Sequence, residues 1–352
     1  AQATLQIFVL LVYLNSRFPK FWTSFDPGFF KKQAVYALPF GFAGILWILQ
    51  TDIHNYFVGY RFGEAGYAIY AYGCFEFPLI TMLYESISSV MIPKMSEFQS
   101  QGRTRDIIET SVSAMNKIAL AFLPIFAFLM ILATPLFITL FTENYLESVP
   151  IFRINILLLP VYILMLDPIA RAYEEVGRFL LKFRAILLLG IITALWFGIQ
   201  YFDLRGMIAI VVVSIVFERI VTFLKLRKTL DLQFSDLHLL RTIGKTALAT
   251  IIAAAVLLIF YWFTIDSLYP YCIKSSGELL TLIGLENLAS LFGGTFYLGL
   301  CFVVFAPVYY FSADMLAVID EDEKALFKKT LHHPIAIVTG LFKSDDDLAE
   351  DA

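Results

Sequence analysis

Residues 118–141, IALAFLPIFAFLMILATPLFITLF, contain no charged side chain. As a helix rising about 1.5 Å per residue, such a run reaches about 36 Å, more than the roughly 30 Å of bilayer hydrocarbon. Seven further stretches have spanning length, at 33–59, 65–92, 149–172, 179–201, 206–224, 246–265 and 288–311. None shows the strict alternation of a half-buried strand, so helices are expected throughout. The whole chain agrees with its centre. Of its 352 residues 59% are apolar and 16% charged, and the mean hydropathy is +0.75. Soluble domains average about 45–50% apolar and about 25% charged. An ordinary cytosolic enzyme, a disordered chain and a nucleic-acid-binding module are thereby excluded. An all-α polytopic membrane protein is expected.

Orientation follows from where the cations sit, because Lys and Arg are retained in cytoplasmic loops. The successive connecting segments carry 4, 1, 3, 0, 4, 1, 5, 1 and 4 cations, beginning with Arg17, Lys20, Lys31 and Lys32 and ending with Lys324, Lys328, Lys329 and Lys343. Strict alternation places the odd-numbered segments and the C-terminus of a multi-pass membrane protein in the cytoplasm. The run at 7–14 is too short to span and lacks the basic region of a signal peptide, so residues 1–15 are taken as the remnant of a preceding transmembrane helix. Residues 16–32 form a cytoplasmic connection. From Ser312 onward there are ten acidic residues, including those at 320–323 and 345–347, which makes 312–352 an acidic, solvated cytoplasmic tail.

Ionisable residues within the spans are few, and each costs about 2.5–3.5 kcal/mol at the bilayer centre on insertion scales. Once the cations counted with the connecting segments are subtracted, those inside or at the rim of spans are Asp52, Glu76, Glu85, Asp167 and Glu218, with Lys117, Arg153 and Arg219. Glu76 lies eleven residues into its span, about 16 Å at the helical rise and so near the midplane. It is the leading candidate for function. Asp52 sits in an outer third, with Glu85 and Asp167 in inner thirds. Asp167 and Arg171 are four residues apart and can pair on one helical face, a reading that stands beside a gating or substrate role. Arg219, near the inner rim, is expected to be an interfacial anchor whose long side chain snorkels. Pro39, Pro78, Pro124, Pro135, Pro160 and Pro168 interrupt the early spans, and each removes a backbone hydrogen bond and permits a bend. No metal-ligand or nucleophile pattern and no cofactor motif occurs, and Cys74, Cys272 and Cys301 are packing residues.

The order of several short motifs resembles a known family. Gln50-Thr51-Asp52, then Gly59, Gly63 and Gly66-Tyr67-Ala68-Ile69-Tyr70, are followed by Pro93-Lys94-Met95-Ser96-Glu97 and Gln101-Gly102-Arg103. Leu140-Phe141-Thr142-Glu143-Asn144-Tyr145 is similar to an L-F-G-x-x-Y turn, with Thr142 where the family often has Gly. Gly177-Arg178 and Arg205-Gly206 with Ala209 match two later turns. Together, over residues 34–230, these resemble the second half of the polysaccharide transporters of the MOP superfamily, the flippases of O-antigen and lipid-linked oligosaccharide.

The resemblance implies a second six-helix lobe at 33–230, two additional C-terminal helices at 231–311, and a first lobe outside this sequence. It implies a transporter rather than an enzyme, which flips an undecaprenyl-pyrophosphate-linked glycan by rocking of two lobes, driven by H+ or Na+. Its expected partners are the lipid-linked glycan, membrane lipid and other glycan-assembly proteins, with no nucleic acid. In that reading Glu76, with Asp52 or Asp167 and with Glu85 nearby, supplies the cavity carboxylates for the coupling ion. Arg153, Arg171 and Lys117 are then the cations that attract pyrophosphate. A multidrug or organic-cation antiporter, a peptidoglycan-precursor flippase and a membrane-embedded glycan polymerase or acyltransferase are the alternatives. The longest outer loop, 266–287, holds one Lys and no His or Arg, which argues against the enzyme.

Overall fold

The computed structural model describes residues 2–18, 26–232, 240–281 and 288–319, all of them helical or in turns and bends between helices. The tail beyond 319, with His332 and His333, lies outside the described residues, as does His238. The helices are α1 (Gln2–Arg17), α2 (Pro27–Gly73), α3 (Pro78–Ser100), α4 (Thr104–Phe141), α5 (Ser148–Asn155), α6 (Leu158–Tyr162), α7 (Asp167–Ala172), α8 (Glu174–Tyr201), α9 (Leu204–Thr229), α10 (Arg241–Thr264), α11 (Leu268–Thr281) and α12 (Ala289–Met315). Six of these are long and apolar enough to cross a membrane: α2, α4, α8, α9, α10 and α12. The chain is an all-α, multi-pass membrane protein.

Local chemistry sets the boundaries. Asp26 caps α2 by accepting from the Gly28 and Phe29 backbone N–H groups at 2.8 and 3.2 Å, and Pro27 occupies the first turn, where its missing N–H costs nothing. Although α2 is continuous in residue count, Gly63 interrupts it with φ +68° and ψ −171°, a conformation open to glycine. The chain reverses there: the Tyr70 hydroxyl and His54 Nδ1 lie 2.8 Å apart, whereas sixteen residues of straight helix would separate them by about 24 Å. The two limbs of α2 are therefore an antiparallel hairpin.

Two of the eight expected spans are corrected. The stretch 65–92 is no single helix, because residues 74–77 are non-helical and α3 begins afresh at Pro78. Proline disfavours helical geometry in the residue before it, and Phe77 is accordingly extended at φ −78°, ψ 117°. The stretch 149–172 is divided into α5, α6 and α7, with a non-helical turn and bend at 163–166. The long loop expected after α10 is instead largely helical, as α11.

Helix α4 is the spine. On one side it joins α3, α5, α6 and the ends of α8 and α9 in a core that includes Met95, Ile107, Phe122, Phe137, Phe152, Met165 and Val176. A second core, Val58, Tyr70, Ile151, Leu195, Met207 and Val211, ties α2 to α5, α8 and α9. On its other side α4 carries α10, α11 and α12 around Leu132, Ala253, Leu257, Tyr297, Cys301 and Phe305.

Candidate functional site

Between α2, α3, the broken α5–α7 segment, α8 and α9 lies a cavity of about 750 Å³. That volume falls within the roughly 300–1,000 Å³ of ligand pockets. Its lining brings together Asp52, Glu76, Glu85, Asp167 and Arg171, five of the seven residues singled out in the sequence. Asp52, Glu76 and Glu85 are exposed and so form its open side. Glu76 sits in the non-helical stretch 74–77, all four residues of which border the cavity. Among the described residues no cation stands within ion-pair distance of Glu76. Arg153 on α5 and Lys117 on α4 are exposed and lie outside this lining.

The inner wall is a connected set of charges. Glu218 on α9 accepts from Arg184 Nε at 2.8 Å and from Gln50 Nε2 at 2.9 Å. Arg184 also donates to the Ala43 carbonyl at 3.0 Å. Asp167, the first residue of α7, accepts from Arg219 Nη1 at 2.7 Å and from the Tyr84 hydroxyl at 3.1 Å. The second guanidinium, Arg184, stands 3.8 Å from Asp167. The guanidinium groups of Arg184 and Arg219 lie over the Trp47 ring, 5.1 and 5.6 Å from its centroid, and Arg219 also faces Tyr162 at 5.7 Å. Asp167, Arg184 and Arg219 line the cavity and Glu218 is buried behind Arg184, so the set of two carboxylates and two guanidiniums is formally neutral. Charges removed from water persist when they are paired and hydrogen-bonded in this way.

Two sequence expectations change here. Asp167 does not use Arg171 as its helical partner, although both lie within α7; its carboxylate meets Arg219 of α9, while the Arg171 carbonyl accepts from Tyr36. Arg219 is no interfacial anchor, because it is 6% exposed and ion-paired. Sequence reasoning missed Arg184 by assigning it to a cytoplasmic segment. Its signal was its position inside the apolar run 179–201.

Comparison with known proteins points the same way. No curated protein and no solved structure matches this chain. Residues 1–150 match the model of a family described as polysaccharide biosynthesis protein, a match that takes in Asp52, Glu76 and Glu85 and stops before Asp167. Over its first 150 residues, then, the chain matches the polysaccharide biosynthesis proteins, and with its six membrane-length helices this supports a multi-pass membrane protein with a role in polysaccharide biosynthesis.

Proposed function

We propose that the protein is a transporter, not an enzyme, which moves a lipid-linked glycan from the cytoplasmic to the outer leaflet of the inner membrane, with its C-terminus cytoplasmic. A pyrophosphate and sugar headgroup cannot cross hydrocarbon unsolvated, whereas a polyprenyl tail can remain in lipid. The observation that carries this reading is the cavity itself: broken helices, carboxylates on its open side and two guanidiniums on its inner wall. In this reading Glu76, with Asp52 on the same open side, takes the coupling H+ or Na+. Arg219 and Arg184, with Arg171 at the edge, attract the pyrophosphate. Arg153 and Lys117, which the cavity does not include, are set aside for that role. Other glycan-assembly proteins are the expected partners on either face.

The test uses the full-length gene. Its deletion, with later glycan-assembly steps also blocked, is expected to leave complete lipid-linked repeat units on the cytoplasmic leaflet, and the intact gene is expected to clear them. Glu76→Gln is expected to abolish that rescue while the protein still folds and reaches the membrane. Wild-type export by Glu76→Gln would remove the coupling assignment. Normal glycan distribution combined with altered sensitivity to organic cations would replace the flippase with an antiporter, which an open side of carboxylates also suits.

A further inference from the structure

We propose that Asp167 is a built-in placeholder for the anionic group of the ligand, which displaces it from Arg219 and thereby releases α7. The proposal rests on the reading of this cavity as the headgroup site. Its basis is an asymmetry between two arginines that share one tryptophan. Every nitrogen of Arg184 has a partner: its Nε and Nη2 meet Glu218, its Nη1 meets the Ala43 carbonyl, and Gln50 holds the other Glu218 oxygen. Arg219 is not. It is 6% exposed, Asp167 takes its Nη1, and its Nε is buried with no hydrogen-bond partner. A guanidinium offers five donors in a planar fork, so this one has unused capacity for an oxyanion that can accept two bonds at once.

Asp167 is also the partner held on the shorter element. Both arginines sit within long helices, α8 and α9, whereas Asp167 begins a six-residue helix between the non-helical stretch 163–166 and the extended Tyr173. Its side chain is 29% exposed, against 8% for Arg219 and 10% for Arg184. The carboxylate therefore faces the cavity from which a ligand would arrive. Charge favours exchange over simple addition. With Asp167 in place, two acids balance two guanidiniums; once it leaves, one positive charge is uncovered, and a phosphate group restores the balance.

The exchange has a mechanical consequence. Helix α7 packs on α3, and Tyr84 of α3 donates to the same Asp167 oxygen that Arg219 holds. Releasing Asp167 unties α7 from α9 and from Tyr84 together. Since α3 starts directly after the stretch that carries Glu76, headgroup arrival and the Glu76 segment are joined by one short path. A ligand that binds one of two arrangements more tightly shifts their populations by that difference, which is the role assigned to the anion here.

The experiment titrates inorganic pyrophosphate into the full-length purified protein carrying Trp47 as its sole tryptophan, and reads its fluorescence. Wild type is expected to bind. Asp167→Asn is expected to bind about tenfold tighter, as when a competitor that fills a site about nine-tenths of the time is removed. Tyr84→Phe, which loosens Asp167 without deleting it, is expected to tighten binding by a smaller factor, and it carries the test should Asp167→Asn fail to fold. Arg219→Gln is expected to lose binding in either background. Pyrophosphate binding that needs Arg219 yet is unchanged or weakened by Asp167→Asn and Tyr84→Phe overturns the placeholder and leaves the headgroup site standing. No binding by any of these proteins, or binding indifferent to Arg219→Gln, overturns both.

Discussion

Helices α10 and α12 run unbroken against α4, whereas the chain around the cavity is interrupted at 74–77 and at 163–166. The interiors differ as much as the backbones. In the α4, α10, α11 and α12 core the polar contacts include hydroxyl ones such as Thr264 with Tyr297 at 2.9 Å, and close approach depends on small residues. A Cβ on Gly293 would lie 2.5 Å from the Ile273 backbone, and one on Gly294 2.0 Å from Thr139 Oγ1. Small residues at such crossings let helices associate by van der Waals contact, which hydrocarbon cannot drive hydrophobically. Around the cavity, four buried or half-buried charges hold α2, α7, α8 and α9 together instead. Dense apolar contact suits a fixed attachment, and paired charges suit parts that exchange partners.

The largest expected effect tests the charged side of this contrast. Arg184→Leu strands Glu218 at 2% exposure, and removing one member of a buried pair costs about 3–5 kcal/mol. Thermal unfolding in detergent should fall sharply, and Arg184→Leu/Glu218→Leu should recover most of the loss without recovering transport. Recovery of both would mean that the pair serves packing alone. Next, Gly294→Ala overpacks the α4–α12 crossing, for which about 1–3 kcal/mol is expected. Here unfolding should shift while transport by the folded fraction stays near wild type; a selective loss of transport would make α12 part of the moving machinery. The smallest effect concerns Thr142, which ends α4 at φ +71°, ψ 171°, a region suited to glycine. Thr142→Gly should stabilise by about 1 kcal/mol after the entropic cost of glycine, read as a higher unfolding temperature with unchanged transport.

Thr142 also marks how far the sequence is legible. The likeness to an L-F-G-x-x-Y turn flags the position where glycine is usual, and the backbone there is strained in the way glycine relieves. Long apolar runs such as α4, α8 and α10 are equally plain, since composition alone dictates a helix in lipid. The interruptions are harder, because hydropathy averages over a window and is blind to four non-helical residues. Pro78 and Pro168 signal bends, yet proline is also tolerated inside α2, α3, α4 and α12 without a break. The carboxylates of the cavity stand out by their cost of burial. Their partners do not, because Arg184, Glu218 and Arg219 lie close enough to span ends to pass for loop or rim residues. Only tertiary packing brings Asp167 to Arg219 rather than to Arg171 four residues away.

The pairing of Arg184 with Glu218 reaches back into the making of the protein. The two side chains belong to consecutive helices joined through residues 202–203. Helix α8 emerging alone would carry an uncompensated guanidinium inside its apolar run, and a charge within a span is costly to insert. Entering together with α9, it brings its own counterion. The energetics therefore favour insertion of these two helices as one hairpin, with the wall of the cavity already half assembled before the rest of the bundle closes around it.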